Sequence, residues 1–141
     1  MSKVRIAVVG AGLMGHGIAQ VFALAGHDVT ITDSHTPNLD TVKQRVAANL
    51  RDLGDDENAV ARITPVAAMA DCVRDADYVV EAVLEDMPLK QKLFGEIERH
   101  VRPDTILASN TSVMPITEIM QGLRHRERAL GTHWWLSLIH I

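Results

Sequence analysis

The sequence has little cysteine, no excess of basic residues and no long apolar run. Its single cysteine, Cys72, excludes an internal disulfide and fits a reducing compartment. Fourteen basic residues against eighteen acidic ones give a net charge of −4, which offers no attraction to nucleic acid or to an anionic membrane surface. The apolar run at residues 4–9 is too short for a signal peptide or a membrane span. We therefore expect a soluble cytoplasmic protein without nucleic acid or membrane partners.

The composition is that of a globular domain. The length of 141 residues suits one domain, and the balance of 47% apolar to 23% charged residues is an ordinary one that can build a core. No repeat, linker or low-complexity segment interrupts the chain.

Short β-branched runs alternate with longer helical patterns, which is typical of a parallel α/β sheet. The predicted strands are residues 4–9, 28–32, 63–66, 78–82, 106–109 and 129–132. The predicted helices are residues 15–25, 37–53, 87–100 and 115–121. Most strand segments are continuous apolar runs, as expected where helices cover both faces of a sheet. The pattern predicts one doubly wound parallel sheet, a Rossmann fold, with the strand order 3-2-1-4-5-6.

A G-x-G-x-x-G sequence lies between the first predicted strand and the first helix; it reads Gly10-Ala11-Gly12-Leu13-Met14-Gly15. In that context such glycines bind the pyrophosphate of a dinucleotide. Gly10 permits a tight turn, Gly12 has no Cβ to obstruct the phosphates, and Gly15 lets the helix pack closely on the strand. N–H groups at the helix N-terminus, including those of Leu13 and Met14, can donate to phosphate oxygens. The alternative is a tight turn without a ligand.

Asp33 ends the second predicted strand, eighteen residues after Gly15. A carboxylate at this position can accept hydrogen bonds from both hydroxyls of the adenosine ribose and repels the extra phosphate of NADP. The following residues, Ser34 and His35, offer no arginine to that phosphate. The spacing therefore predicts NAD as the cofactor. The alternative is that Asp33 only starts a turn.

Four segments resemble the NAD-binding domain of the 3-hydroxyacyl-CoA dehydrogenase family. They are residues 7–20, 79–86, 107–112 and 131–135, and they keep the order and spacing of the family across nearly the whole chain. The last three read Val-Val-Glu-Ala-Val-Leu-Glu-Asp, Leu-Ala-Ser-Asn-Thr-Ser and Gly-Thr-His-Trp-Trp. The resemblance implies hydride transfer between a 3-hydroxyacyl-CoA and NAD, in fatty acid metabolism. It also implies that a full-length protein is a homodimer.

By position, Glu85 and Lys90 resemble the cofactor-side pair of that family. Both flank the start of a helix near the carboxyl end of a strand, where open α/β sheets bind ligands. The alternative is a solvated charge pair, since a spacing of five residues is poor for a bridge on one helix face. Ser112 resembles the family serine that touches nicotinamide and substrate, and Asn110 lies beside it in the cofactor site. Without the resemblance, these two residues belong to a polar loop that caps the next helix.

His133 resembles the catalytic histidine of the family. Oxidation of a secondary alcohol releases a proton, and an imidazole with a pKa of about 6.5 can accept it near neutral pH. We expect five other histidines to lie at the surface: His16, His27, His35, His100 and His125. Trp134 and Trp135 stand where the family has aromatic residues, which indicates packing.

The chain departs from the resembled family in two places. The family has an asparagine closely after its catalytic histidine and then a carboxylate that orients the imidazole, whereas Leu136 follows Trp135 and the chain stops at Ile141. We expect residues 1–135 to be a truncated NAD-binding domain and residues 136–141 a tail foreign to it, with the helical substrate domain missing. Ungapped counting from Asp33 also puts Asn49 and Asp56 where the family has a serine and a lysine that contact CoA, and neither matches.

Three functions follow from these observations. The first is an NAD-dependent 3-hydroxyacyl-CoA dehydrogenase, of which this chain binds NAD without turnover. The second keeps the fold and the hydride chemistry but acts on a free hydroxy acid, such as a sugar acid or a carnitine-like alcohol. The third is a non-catalytic dinucleotide-binding protein. In each enzyme reading the partner is a small-molecule substrate, either an acyl-CoA or a hydroxy acid.

Overall fold

The computed structural model of the protein describes residues 2–135, and the predicted tail at 136–141 lies outside this range. Within the range, six strands form one sheet: β1 Arg5–Val9, β2 Asp28–Thr32, β3 Ile63–Pro65, β4 Tyr78–Glu81, β5 Ile106–Ser109 and β6 Ala129–Gly131. The α-helices of the same range are α1 Leu13–Leu24, α2 Thr36–Asp40, α3 Val42–Leu53, α4 Met69–Val73, α5 Met87–His100 and α6 Ile116–Ile119. Short 3₁₀ helices precede β3 and β6, at Glu57–Arg62 and Arg126–Arg128.

All neighbouring strands run parallel, and their order across the sheet is β3-β2-β1-β4-β5-β6. The predicted doubly wound fold and its strand order are therefore confirmed. In the centre, Val8 of β1 pairs with Ile31 of β2 and with Val80 of β4. The chain winds outward from β1 in both directions, so a crevice opens at the carboxyl ends of β1 and β4.

The sheet is buried on both faces. Ile6 and Val8 lie in the hydrophobic cluster that α1 and α3 cover, whereas Ala7 and Val9 lie in the cluster that α5 covers. This division follows from the alternation of side chains along a strand. None of the four is more than 4% exposed, which accounts for the continuous apolar run in the sequence.

The predicted helix over residues 37–53 is in fact two helices, α2 and α3, that meet at Thr41. The Thr41 hydroxyl donates to the carbonyl oxygen of Pro37 at 2.7 Å, while the Thr41 N–H lies 3.3 Å from the same oxygen. Such side-chain hydrogen bonds compete with the helical pattern of the backbone. The sequence also gave no sign of α4, which has five residues and is too short for a helical pattern to stand out.

Two of the five histidines predicted at the surface are buried, so that prediction is wrong for them. His16 in α1 is 5% exposed, and His27, just before β2, is 7% exposed. Both rings have hydrogen-bond partners, which offset the cost of removing a polar ring from water. For His27 the partner is the backbone N–H of Val4, which donates to Nδ1 at 3.2 Å.

Candidate functional site

The glycine loop begins where β1 ends. Gly10 lies between the ends of β2 and β4, the two strands that flank β1. Its N–H donates to the carbonyl oxygen of Thr32 at 2.8 Å. A Cβ at this position would lie 2.5 Å from the carbonyl oxygen of Ala82, and the φ of +107° is in the region that favours glycine. Gly10 therefore lets the loops after β1 and β4 approach each other closely.

Gly12 and Gly15 are glycines for different reasons. A Cβ on Gly15 would lie 1.7 Å from the carbonyl oxygen of Gly10, so the packing of α1 against the turn excludes any side chain. A Cβ on Gly12 would meet nothing within 4 Å. Gly12 also precedes the first turn of α1, and within residues 2–135 no side chain of the N-cap residue caps this helix, so its first N–H groups can donate to a ligand. The open space at Gly12 is the approach that a pyrophosphate requires.

Leu13 and Met14 complete the predicted loop and point different ways. Leu13 is 64% exposed, whereas Met14 is partly buried against the core that α1 covers. Leu13 therefore does not belong to the apolar face with which α1 packs on the sheet.

The side chain of His16, in α1, is hydrogen-bonded to the glycine loop. Its Nδ1 lies 2.8 Å from the carbonyl oxygen of Gly12, and its Nε2 lies 3.0 Å from the amide nitrogen of Asn49 in α3. A carbonyl accepts and an amide N–H donates, so these partners fit the neutral ring with its proton on Nδ1. Burial lowers the pKa of His16, and the nearby charge of Arg45 adds to this effect, although the hydrogen bond to Gly12 opposes it. The sequence pattern missed this residue because a lone histidine in a helix carries no signal of its contacts.

Asp33 directly follows β2 and ties the glycine loop to the start of α2. Its Oδ2 accepts from the N–H of Ala11 at 2.7 Å and from the amide of Asn38 at 3.3 Å, and its Oδ1 accepts from the N–H of His35 at 2.7 Å. An ionised carboxylate has about four acceptor positions. At least one of them is therefore left over for a ribose hydroxyl.

A cleft of about 490 Å³ opens between the glycine loop and the loop after β4. Its lining includes Gly10 and Gly12 of the glycine loop, Asp33 and Asn38 after β2, and Val83 after β4. Its size is within the usual range for a small-molecule site. Glycine loop and carboxylate thus border one cavity, as the sequence predicts.

Lys90 and Glu85 are in contact, but their surroundings differ from either reading of the sequence. Lys90 Nζ lies 3.1 Å from Glu85 Oε1 and 2.5 Å from Oε1 of Glu81, the last residue of β4. The side chains of Glu81 and Lys90 are 0% and 1% exposed, whereas that of Glu85 is 40% exposed. The alternative of a solvated charge pair is therefore wrong for Lys90. Sequence reasoning missed Glu81, because it stands within an apolar strand pattern.

Glu85 reaches across to the loop that follows β5. Its Oε2 accepts from the hydroxyl of Thr111 at 2.7 Å. Partial burial alone raises the pKa of Glu85, but the hydrogen bond from Thr111 and the ammonium of Lys90 outweigh it, so the pKa is lowered overall. Glu85 is therefore ionised near neutral pH. Ser112, the next residue after Thr111, is exposed at the same edge of the sheet.

The segment that carries His133 leaves β6 beside this loop. The N–H of Thr132 donates to the carbonyl oxygen of Ser109 at 2.9 Å, and the N–H of Trp134 donates to Oδ1 of Asn110 at 2.8 Å. His133 is exposed between these two anchors, and its ring centroid lies 5.3 Å from that of Trp135. Within residues 2–135, no hydrogen bond joins His133 to Ser112. The two predicted catalytic residues thus follow the adjacent strands β5 and β6 and are not hydrogen-bonded to each other.

Trp134 packs as the sequence indicates, whereas Trp135 is 68% exposed, so the packing prediction is wrong for Trp135. The ring of Trp134 meets that of Phe22 edge to face, with centroids 5.6 Å apart. Phe22 in turn contacts Tyr78 at the start of β4, at 5.8 Å between centroids. The aromatic contact secures the backbone just beyond His133.

A parallel sheet in this order, a glycine loop that opens α1 and a carboxylate after β2 define the class of dinucleotide-binding Rossmann domains. Comparison with known proteins gives the particular family. The description "3-hydroxyacyl-CoA dehydrogenase, NAD binding domain" matches residues 5–138. The chain therefore belongs to this family, and the predicted family and its cofactor, NAD, are confirmed.

Relatives and solved structures agree with this assignment. The chain is 34% identical to the mitochondrial hydroxyacyl-coenzyme A dehydrogenase of Homo sapiens, over 93% of this chain and 46% of that protein. It matches the crystal structure of (S)-3-hydroxybutyryl-CoA dehydrogenase from Ralstonia eutropha with a TM-score of 0.89 and 32% identity, over 97% of this chain and 51% of the other. A diketoreductase that acts on dicarbonyl compounds matches with a TM-score of 0.90 and 27% identity, over 99% of this chain and 53% of the other.

The chain spans about half the length of the curated relatives that it matches. Among the residues that the structure describes, no helix is both long and apolar enough to cross a bilayer. The prediction of a cytoplasmic protein is not confirmed, since a relative is mitochondrial by name. The domain boundary at residue 135 and the roles of the individual site residues stay predictions.

Proposed function

We propose that the chain is the NAD-binding half of a 3-hydroxyacyl-CoA dehydrogenase, an enzyme of fatty acid metabolism. One observation carries the proposal: the glycine loop, Asp33, Glu85, Ser112 and His133 all follow the carboxyl ends of strands of one parallel sheet. Ligands bind at that edge in open α/β sheets. A protein that used the fold only as a scaffold would not need a glycine, an acid and a histidine there together.

The described residues fit NAD. The open space at Gly12 and the free N–H groups that begin α1 suit a pyrophosphate, and the spare acceptor position of Asp33 suits a ribose hydroxyl. The negative charge of Asp33 disfavours the additional phosphate of NADP. The cleft from Gly12 to Asn38 supplies room for the adenosine end.

His133 is proposed as the general base. Its exposed imidazole accepts the proton of the substrate 3-hydroxyl, and Ser112 donates or accepts a hydrogen bond at the same oxygen. When bound, NAD supplies a hydride acceptor for the carbon that carries this hydroxyl. Asn110 supports the arrangement, because it holds the backbone N–H of the residue directly after His133. Within residues 2–135 no hydrogen bond joins His133 to Ser112, so both side chains can act on the substrate oxygen.

A second candidate substrate class is a free hydroxy acid or a dicarbonyl compound without CoA. The amide of Asn49, which stands where the family contacts CoA, is bonded to His16 in this chain. The similarity to a diketoreductase points the same way. Comparing a 3-oxoacyl-CoA with the matching free 3-oxo acid, in a protein that includes the remaining half found in relatives, would distinguish the two classes. A kcat/KM more than tenfold higher for the 3-oxoacyl-CoA than for the free 3-oxo acid supports the first proposal.

The direct test of the first proposal is cofactor titration with this chain. We expect NADH to bind at least tenfold more tightly than NADPH, and no oxidation of 3-hydroxyacyl-CoA by the chain alone, since a general base needs an oriented and enclosed substrate. Absence of NADH binding by a folded chain would contradict the proposal. Turnover that His133→Ala abolishes would show that the second half of the relatives is dispensable. Homodimerisation of a longer protein, a cytoplasmic location and a foreign tail at residues 136–141 remain part of this proposal.

A further inference from the structure

Glu81 has no role in the function derived so far, yet it is the most completely buried charge at the edge of the site. It is the last residue of β4 and pairs in register with Ser109, the last residue of β5. Its Oε2 accepts from the Ser109 hydroxyl at 2.5 Å, and its Oε1 accepts from the N–H of Val83 at 2.7 Å and from Lys90 at 2.5 Å. The carboxylate thus joins β4, β5 and α5 at one point.

Lys90 has no donor left for a ligand. An ammonium group has three N–H donors, and here they face Glu81, Glu85 and the carbonyl oxygen of Val83, at 2.5, 3.1 and 3.4 Å. With 1% of its side chain exposed, Lys90 does not reach the cleft directly. Any effect of Lys90 on the cofactor must therefore pass through a neighbour: through Glu85, the exposed member of the group, or through Val83, which lines the cleft.

Stability alone does not explain a buried pair at this position. Removing two charges from water costs about as much as their attraction returns, and apolar residues of similar size often serve equally well. What the pair does provide is a fixed geometry. The fixed Lys90 ammonium forms an ion pair with Glu85, and Glu85 in turn accepts a hydrogen bond from the Thr111 hydroxyl. Thr111 immediately precedes Ser112.

We infer that Glu81 and Lys90 are positioning residues for the nicotinamide end of the site. Together with Ser109, they hold the loops that carry Glu85 and Ser112 in one arrangement. The inference rests on the proposed function, which assigns those two loops to the nicotinamide. The glycine loop and Asp33, at the adenosine end, make none of these contacts. Val83 lines the cleft as well, so a test of the inference has to keep the acceptor for its N–H.

The two ends of the site can be tested separately with two ligands, NADH and ADP-ribose. ADP-ribose has the adenosine and the pyrophosphate but lacks nicotinamide. The main variant is Glu81→Gln combined with Lys90→Met. Glutamine keeps an acceptor for Val83 and a partner for Ser109, while methionine fills the space of the lysine stem without its charge. Both affinities are measured by titration calorimetry on the whole chain, with circular dichroism as a check of folding.

We expect wild-type protein to bind NADH more tightly than ADP-ribose, and the double variant to lose at least tenfold in NADH affinity with ADP-ribose affinity changed less than twofold. Ser109→Ala, a smaller change, should give a selective loss of at least threefold, and it decides the question if the double variant does not fold. An equal loss of affinity for NADH and ADP-ribose, or no loss of affinity for either ligand, would overturn the inference. Equal affinity of wild type for both ligands would also overturn it, whereas no binding of either ligand would contradict the proposed function instead.

Glu98→Gln is the matched control. Glu98 lies eight residues after Lys90 in α5, so about 12 Å along the helix axis. Its carboxylate is also mostly buried, at 12% exposure, and accepts from Arg128 at 3.3 Å and from the N–H of Arg124 at 3.0 Å. It does not line the cleft. This variant should leave the ratio of NADH to ADP-ribose affinity unchanged, even if it lowers stability.

Discussion

Oδ1 of Asn110 accepts a hydrogen bond from the backbone N–H of Trp134 at 2.8 Å, across 24 residues of sequence. The bond links the loop after β5 to the segment after β6, and Trp134 directly follows His133. The position of the proposed base therefore depends on a side chain from the neighbouring loop. Asn110 was predicted as a cofactor residue, and this contact gives it a structural task as well.

Asn110→Ala should loosen the segment that carries His133. Loss of one partly buried hydrogen bond costs about 1 kcal/mol, so the Trp134 amide should exchange with solvent about fivefold faster in hydrogen-exchange measurements. Asn110→Asp keeps the acceptor and serves as the control, with exchange close to wild type. Equal exchange in the alanine variant and wild type would mean that the aromatic contact with Phe22 alone holds the segment.

Gly15→Ala should lower the stability of the fold, whereas Gly12→Ala should lower NADH affinity and leave stability nearly unchanged. Gly15→Ala forces a Cβ against the carbonyl oxygen of Gly10, and overpacking of this kind costs about 1–3 kcal/mol or more. Gly12→Ala meets open space, so stability should stay within about 0.5 kcal/mol. NADH affinity should nevertheless fall at least tenfold, which is about 1.4 kcal/mol. Urea unfolding measures the stability, and titration calorimetry measures the NADH affinity. Unchanged NADH binding by Gly12→Ala would show that the pyrophosphate does not bind at this loop.

Asp33→Ala should narrow the preference for NADH over NADPH. The change removes the acceptor for the ribose and the charge that repels the extra phosphate, so we expect the affinity ratio to fall at least tenfold, or about 1.4 kcal/mol. Asp33→Asn keeps an acceptor for the N–H of Ala11 and should weaken NADH binding less than alanine does. Calorimetric titration with both cofactors measures the ratio. Equal affinity of the wild-type chain for the two cofactors would contradict the role of Asp33.

Asp77 should make stability depend on acid pH. Hydrogen bonds from Arg5, and a further one from Arg102 at 2.5 Å, hold the pKa of Asp77 well below its usual range. The unfolded chain takes up a proton near pH 3.9 while the folded chain does not, so this stabilisation is present above that pH and is lost as the pH falls further. Because both arginines are partly solvated, we expect Asp77→Asn to cost about 1 kcal/mol at pH 7.

Urea unfolding at pH 7, 5 and 3 measures this effect. The difference between wild type and Asp77→Asn should shrink towards the lowest pH. Asp104→Asn is the control, because Asp104 is 78% exposed and only meets Arg102 at 3.3 Å, and it should have no measurable effect. A difference for Asp77→Asn that stays constant from pH 7 to pH 3 would show that its contacts do not depend on its charge.

The fold and the outline of the site could be predicted from the sequence because both depend on local patterns. A buried parallel strand is a run of apolar residues, and the glycine loop has a fixed spacing with respect to β1 and α1. Asp33 follows from the same spacing. These features have the same meaning wherever they occur in a doubly wound sheet.

The contacts of Lys90 could not be predicted in this way. A spacing of five residues disfavours a bridge only when both residues belong to one helix, whereas Glu85 precedes α5 and its loop folds back onto Lys90. Glu81 gave no signal, since its partners come from β5 and α5 and pair only when the sheet has formed. The burial of His16 likewise depends on α3 packing over α1. Such long-range pairing is absent from any window of sequence.

The guanidinium of Arg45 lies near Asp33, but it donates to the carbonyl oxygens of Ala11 and Asn38 at 2.6 and 2.7 Å. A redesign of this domain for NADP cannot use Arg45 to bind the additional phosphate. If the guanidinium turned towards that phosphate, the carbonyl oxygens of Ala11 and Asn38 would lose their hydrogen-bond donor. A new cation at Ser34 or His35, next to the carboxylate that must be removed, is the sounder starting point. The arginine already in place is a structural part of the loop, and redesign has to leave it alone.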